Sequence, residues 1–169
     1  MNETYKKIEG FEVYSVSDWG NVRNDQTGRI LKNSHRTGYP MVRLQKDNKT
    51  YKNDIHRLVA IAFIDNLANK KCVDHIDNNR HNNNVINLRW ATRSQNSQNT
   101  KLSSRNTSGT KGVSWNKTAN KWCALITING KKIHLGYFLN KEDAINIRVQ
   151  RAKDAFGEYI NKCELIINV

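Results

Sequence analysis

Between Val73 and Asn99 the chain concentrates polar side chains of few kinds: DHIDNNRHNNN runs from Asp74 to Asn84, VINLRWAT from Val85 to Thr92, and RSQNSQN from Arg93 to Asn99. Carboxylate and amide oxygens are the donors that hard cations such as Mg²⁺ and Mn²⁺ prefer. An imidazole exchanges protons near neutral pH. A cluster of this kind can therefore carry out metal-assisted, proton-transfer chemistry on an anionic substrate. Each residue alone also has a plain structural use: Asp74 as a turn acid, His75 as a satisfied loop histidine, Asn96 as a surface helix residue. Asn78, Asn79 and Asn82 to Asn84 suit turns that need positive φ. Only their order as a set lifts them above these uses. Cys72, His75 and His81 could instead be zinc ligands, but no fourth ligand stands at finger-like spacing. His56 and His81 are residual candidates for secondary phosphate or catalytic contacts, with a structural use first.

The elements that must hold this cluster are short. Lys71 to Asp74 and Val85 to Ala91 read as strands on either side of the loop, and Thr92 to Asn99 starts like a helix capped by Thr92. Neighbours on a regular strand face opposite ways, so Asp74 and His75 can serve one site only if the strand ends there. The Asn-rich loop starting at Ile76 allows that ending. Upstream, Phe11 to Val22 alternates around the turn Asp18-Trp19-Gly20-Asn21, and Tyr39 to Leu44 with Lys49 to Ile55 reads as a hairpin closed by Lys46-Asp47-Asn48. His56 to Ile64 has the apolar spacing of a buried helix face at Leu58, Val59, Ala62 and Phe63. The polar stretch Ser97 to Gly109 reads as a linker. Beyond it come strands near Gly112 to Trp115, Trp122 to Ile128 and Lys131 to Phe138, the last two joined by Asn129-Gly130. A helix follows, started by Asn140 with Asp143, striped by Ile145, Val149, Ala152 and Phe156, and stopped by Gly157. The fold class is α+β, with a three-stranded antiparallel sheet backed by one helix at the C-terminal end.

Charge narrows the partner. Over 169 residues, 28 Lys and Arg against 15 Asp and Glu leave +13, with a pI near 9.8. Residues 1–100 carry +6 and residues 101–169 carry +7, so the basicity is spread along the chain. That field attracts polyanions, nucleic acid first and an anionic membrane surface second. No apolar run approaches transmembrane length, and Met1-Asn2-Glu3-Thr4 lacks the regions of a signal peptide. Three separated cysteines, Cys72, Cys123 and Cys163, suit a reducing compartment as small buried hydrophobes. A monomer in the cytoplasm, not engaged with membrane, is expected.

The ordered cluster resembles the phage-type HNH homing endonucleases, whose motif has an Asp-His pair, a middle Asn and a final His or Asn; Asp74-His75, Asn87 and Asn96 stand at those places. The opening YKKIEGFEVYSVSDWGNVRN is similar to the modular DNA-binding motif that often precedes such domains. The resemblance implies a ββα-metal nuclease fold in which Asp74 and Asn96 bind one divalent cation, Mg²⁺ or Mn²⁺, His75 is the general base, and Asn87 braces the loop. Residues 107–161 resemble the APETALA2-type DNA-binding domain, matching GV-W, KW-A-I, GK, LG-F, EDA and FGEYIN in order. That resemblance implies DNA contacts from Lys111, Ser114, Asn116, Leu125, Thr127, Lys132 and His134, with most of the plant domain's arginines replaced. Four segments are thus expected: a DNA-binding motif over 1–55, an HNH nuclease domain over 56–100, a linker over 101–109 and an APETALA2-type domain over 110–169. The implied function is cleavage of double-stranded DNA by a phage- or bacterium-encoded enzyme. The rival readings are a sequence-specific DNA-binding protein with an inactive nuclease domain, and an RNA-binding protein favoured by charge alone.

Overall fold

A computed structural model describes residues 2–161 apart from Thr37. Cys163 therefore lies outside the described residues. The chain divides into two compact units, Met1–Thr92 and Arg93–Val169.

In the first unit β1 (Tyr5–Ile8), β2 (Phe11–Ser17) and β3 (Val22–Asn24) form one antiparallel sheet, and β4 (Ser34–Arg36), β5 (Tyr39–Lys46) and β6 (Lys49–Asp54) form another. The helix α1 spans Ile55–Phe63, and β7 (Cys72–His75) pairs antiparallel with β8 (Leu88–Ala91). Alternation explains the hairpin: Val42 and Leu44 are fully buried while Arg43 and Gln45 between and beyond them are exposed. Its turn needs two left-handed residues, and Asp47 and Asn48 take φ of 49° and 58°. Strands β1 and β4 were not expected, since four and three residues show too little alternation to read. Val85–Asn87 forms a 3₁₀ turn rather than the start of a strand, because Asn84 caps it by accepting from the Ile86 N–H.

A single core joins these pieces. Tyr14, Val16 and Val22 of the first sheet, Val42 and Leu44 of the second, Ile55, Leu58 and Val59 of α1, and Leu88 and Trp90 of β8 pack into one buried cluster. Each fully buried aliphatic side chain stabilises this arrangement by roughly 1.5–3 kcal/mol over an exposed one. Gly20 closes the arrangement at φ +89°, where a Cβ would lie 2.8 Å from that of Asn83. The neighbouring Asp18 carbonyl accepts from the Val85 N–H at 2.7 Å, so the β2–β3 turn is bonded to the Asn-rich loop.

In the second unit α2 (Arg93–Gln98) is followed by β9 (Val113–Asn116), β10 (Lys121–Ile128) and β11 (Lys131–Phe138), ordered β11-β10-β9, and then by α3 (Lys141–Phe156). Ala124 and Ile126 pack against Ala144 and Ala152 of the helix. Asn140 precedes α3 without making a side-chain cap bond, and Glu142 and Asp143 in the first turn oppose the helix dipole instead. The polar stretch over 101–109 belongs to this unit and has its own bonds, with Ser108 buried and its hydroxyl donating to the Thr110 carbonyl at 2.9 Å. Gly112 takes φ +69°, and a Cβ there would sit 2.1 Å from the Leu125 carbonyl oxygen.

Candidate active site

Strand β7 delivers Val73, Asp74 and His75 into buried positions and ends there; the Asn78 N–H then donates to the His75 carbonyl at 2.9 Å. In the β7–β8 register Asp74 stands opposite Arg89. Arg89 donates from Nε at 2.9 Å and from Nη2 at 2.8 Å, both to Oδ2 of Asp74. Directly opposed residues of an antiparallel pair share a face, so this ion pair is written into the strand register.

His75 is set apart by its ring contacts. Its ring centroid lies 5.2 Å from that of His56 and 6.1 Å from that of Tyr39, and the rings of Tyr39 and His56 are 5.0 Å apart. The guanidinium of Arg80 caps this group at 4.4 Å from the Tyr39 ring. The amide of Asn83 donates to the His81 carbonyl at 3.4 Å, which turns its Oδ1 toward His75 Nε2 at 3.1 Å. Nε2 is then the protonated nitrogen of the neutral ring, and Nδ1 carries the lone pair. Burial holds the His75 pKa below the ordinary histidine value, opposed by the Asn83 bond and by the charges of Asp77 and Asp74. The imidazole is therefore neutral at pH 7, the state a proton acceptor requires. For His56, burial first, then the charges of His75 and Arg57, push the pKa down to about 4. Its Nδ1 is buried with no hydrogen-bond partner among the described residues.

Asn87 organises the loop. Its Oδ1 accepts from the Asp77 N–H at 3.0 Å, and its Nδ2 donates to Asp77 Oδ1 and to the Asn82 carbonyl, both at 2.8 Å. Asp77 Oδ2 accepts from Asn82 at 2.8 Å. These bonds, with the backbone of Asn79, outweigh desolvation and lower the Asp77 pKa. Among the loop asparagines expected at positive φ, only Asn78 is there, at 60°. The others act through side chains: Asn79 Oδ1 accepts from the His81 N–H and Asn84 Oδ1 from the Ile86 N–H, each at 3.1 Å. Cys72, His75 and His81 are not brought together as a ligand group; among the described residues no three His, Cys, Asp or Glu side chains are. A cation at Asp74 would therefore take one carboxylate, amide oxygens and water, a set that fits Mg²⁺ or Mn²⁺ better than zinc.

Asn96 lies half-buried on α2, in the second unit. On the sheet of that unit, Thr127 opposes Lys132 and Leu125 opposes His134, so these side chains share the face turned away from α3. Ser114, Thr127, Lys132 and His134 are exposed, while Asn116 and Leu125 are half-buried. His134 packs against Tyr137 with centroids 4.6 Å apart. Asn116 Oδ1 accepts from the Ala119 N–H at 2.8 Å, closing the β9–β10 turn. Lys111 Nζ donates to the Gln98 carbonyl at 2.7 Å, capping the end of α2.

Residues 54–98 match the HNH endonuclease family model, and residues 3–45 match the NUMOD4 motif. The chain carries an HNH endonuclease domain. An uncharacterized HNH endonuclease, L247, of Acanthamoeba polyphaga mimivirus is 46% identical over 102 residues, which are 57% of this chain and 26% of that protein. DNA endonuclease I-HmuI of Bacillus phage SP01 is 39% identical over 97 residues, 56% of each chain. H-N-H endonuclease F-TflII of Escherichia phage T5 is 32% identical over 89 residues, 51% of this chain and 46% of that one. The chain thus spans about a quarter of the mimivirus relative and about half of the two phage enzymes. The solved structure of DNA binding and cleavage by the HNH homing endonuclease I-HmuI superposes with a TM-score of 0.53 at 28% identity, covering 91% of this chain and 83% of that one.

The HNH domain has participants that the sequence did not single out. Arg89 was legible in principle, because pairing Cys72 with Ala91 puts it opposite Asp74. Asn83 was hidden in a run of three asparagines, and Tyr39 reaches His75 only through the tertiary fold, as does His56, a residual candidate by sequence whose partner the residues did not name.

Proposed function

We propose that this chain is a metal-dependent endonuclease that hydrolyses phosphodiester bonds in double-stranded DNA, of the homing type, cutting one strand or both. The observation that carries the reading is His75: a buried histidine at the end of β7, held neutral at pH 7 and oriented by Asn83, within the residues that match the HNH family. In this reading His75 takes the proton of the attacking water, and Asn87 keeps the loop in place around it. Asp74 and Asn96 hold one Mg²⁺ or Mn²⁺, Asn96 entering through the matched span 54–98, which runs past the end of the first unit. When bound, the cation supplies charge stabilisation at the scissile phosphate and the leaving oxygen.

The second unit acts in this reading as an APETALA2-type DNA-binding domain. Its support is the three-stranded sheet backed by one helix, the outward face bearing Ser114, Thr127, Lys132 and His134, and the +7 charge of residues 101–169. Lys111 and Asn116 would contribute from the end of the unit where β9 begins and from the β9–β10 turn. Lysine, threonine and serine on that face suit phosphate contacts better than bidentate reading of guanine. No helix among the described residues is long and apolar enough to cross a membrane. We place the activity, as a monomer, in a host cytoplasm where phage or bacterial DNA is found.

Incubating the purified protein with supercoiled plasmid tests this. Relaxed or linear product with Mg²⁺ or Mn²⁺, abolished by chelator, is the expected result. One observation favours the rival reading of a DNA-binding protein with a silent nuclease: Asp74 is bound by Arg89. Duplex binding without cleavage at any divalent cation would establish that reading.

A further inference from the structure

In the Arg89–Asp74 pair the carboxylate is buried and the guanidinium side chain half-buried, at 5% and 13% exposed. A carboxylate so buried needs a compensating positive charge, since an unpaired one is costly to keep ionised. Arg89 supplies that charge without metal. Both of its donors reach the same oxygen, Oδ2. A cation bound at Asp74 then shares one carboxylate with a fixed guanidinium, and the two positive charges repel across a poorly solvated site. Resting on the endonuclease reading, we infer that Arg89 is the built-in counter-ion of the metal site. It balances the Asp74 carboxylate and ties β7 to β8 when metal is absent, and it makes the cation bind weakly until DNA arrives. The phosphate of the duplex adds the negative charge that tips the balance, so cation occupancy follows substrate occupancy.

The test is Mn²⁺ binding to the full-length protein without DNA, followed by calorimetry and by the electron paramagnetic resonance of the free ion. Arg89→Gln removes the charge and keeps a donor; it should bind Mn²⁺ about tenfold or more tightly than the wild type. Arg89→Lys keeps the charge and should stay near the wild type. Adding an uncleavable duplex should tighten Mn²⁺ binding of the wild type far more than that of Arg89→Gln. If Arg89→Gln is unfolded without metal, Mn²⁺ should restore its fold by replacing the lost counter-charge; failure to do so overturns the inference. Equal or weaker Mn²⁺ affinity in a folded Arg89→Gln also overturns it. Asp74→Ala separates this outcome from failure of the underlying reading. Loss of Mn²⁺ binding in Asp74→Ala with no gain in Arg89→Gln sinks the counter-ion role alone, whereas unchanged binding in Asp74→Ala removes the metal site itself.

Discussion

In the first unit His56, Asp74 and His75 are 7%, 4% and 6% exposed, whereas in the second Ser114, Thr127, Lys132 and His134 stand in the open on one sheet face. Proton transfer needs a fixed ring of known protonation state, which burial and Asn83 provide. Phosphate contact needs reach and charge in water, which an exposed lysine provides. The difference teaches that the two halves should fail under different conditions, acid in the first and salt in the second.

Acid should give the largest effect. A histidine with a depressed folded pKa binds its proton less readily in the native state, so its stabilisation is present above the unfolded value of 6.5 and lost as pH falls through the folded one. For His56, at about 4, the loss between those values is roughly 3 kcal/mol, and the lowered pKa of His75 acts in the same direction. The second unit has only His134, which is exposed. Lowering pH from 7 to 4 should therefore melt the first unit well before the second, and replacing His56 by Phe should shift that transition to lower pH. Coincident melting of both units in thermal scans across this range would remove the distinction.

His75→Ala should come next. The expected loss in cleavage rate is about 10²-fold or more, with duplex affinity nearly intact. A variant that cuts at the wild-type rate means that another group takes the proton.

How much of this was open to reading from the residues depends on the distance over which the signal acts. The hairpin at Asp47-Asn48, the buried face of α1 and the β10–β11 turn at Asn129-Gly130 follow from period and turn chemistry, which are local. The Asp-His pair and the middle asparagine follow from order along the chain. The stack of Tyr39 and His56 on His75 could not be read, because it joins β5, α1 and β7 across up to 36 positions through packing alone. Nor could the fusion of the first sheet and the HNH domain into one core, since each segment satisfies its own alternation.

Gly20→Ala probes that fusion with a smaller effect. The left-handed backbone and the 2.8 Å approach to Asn83 make alanine strained there by about 1–3 kcal/mol. Displacing Asn83 should loosen His75 and slow cleavage about tenfold at saturating DNA. Unchanged cleavage would show that the loop tolerates the shift.

The mildest effect belongs to the open sheet. Lys132→Ala together with His134→Ala should make the slope of log affinity against log salt shallower by about 0.9 if Lys132 neutralises one phosphate. Cleavage at saturating protein should not change. An identical slope in a salt series would point that face toward a protein rather than DNA.

The single core of the first unit also bears on how such chains are recombined. NUMOD4 and HNH matches end and begin at Gln45 and Asp54, which suggests separable cassettes. Yet Val16 and Leu44 from one side pack with Leu58 and Trp90 from the other, and Asp18 is bonded to Val85. A crossover between 45 and 54 would graft two half-cores that had never been selected to fit. A crossover at the Thr92–Arg93 join would leave that core whole, so the fold of the first unit should survive exchange far more often there, provided that the incoming segment restores the end of the HNH match at 93–98.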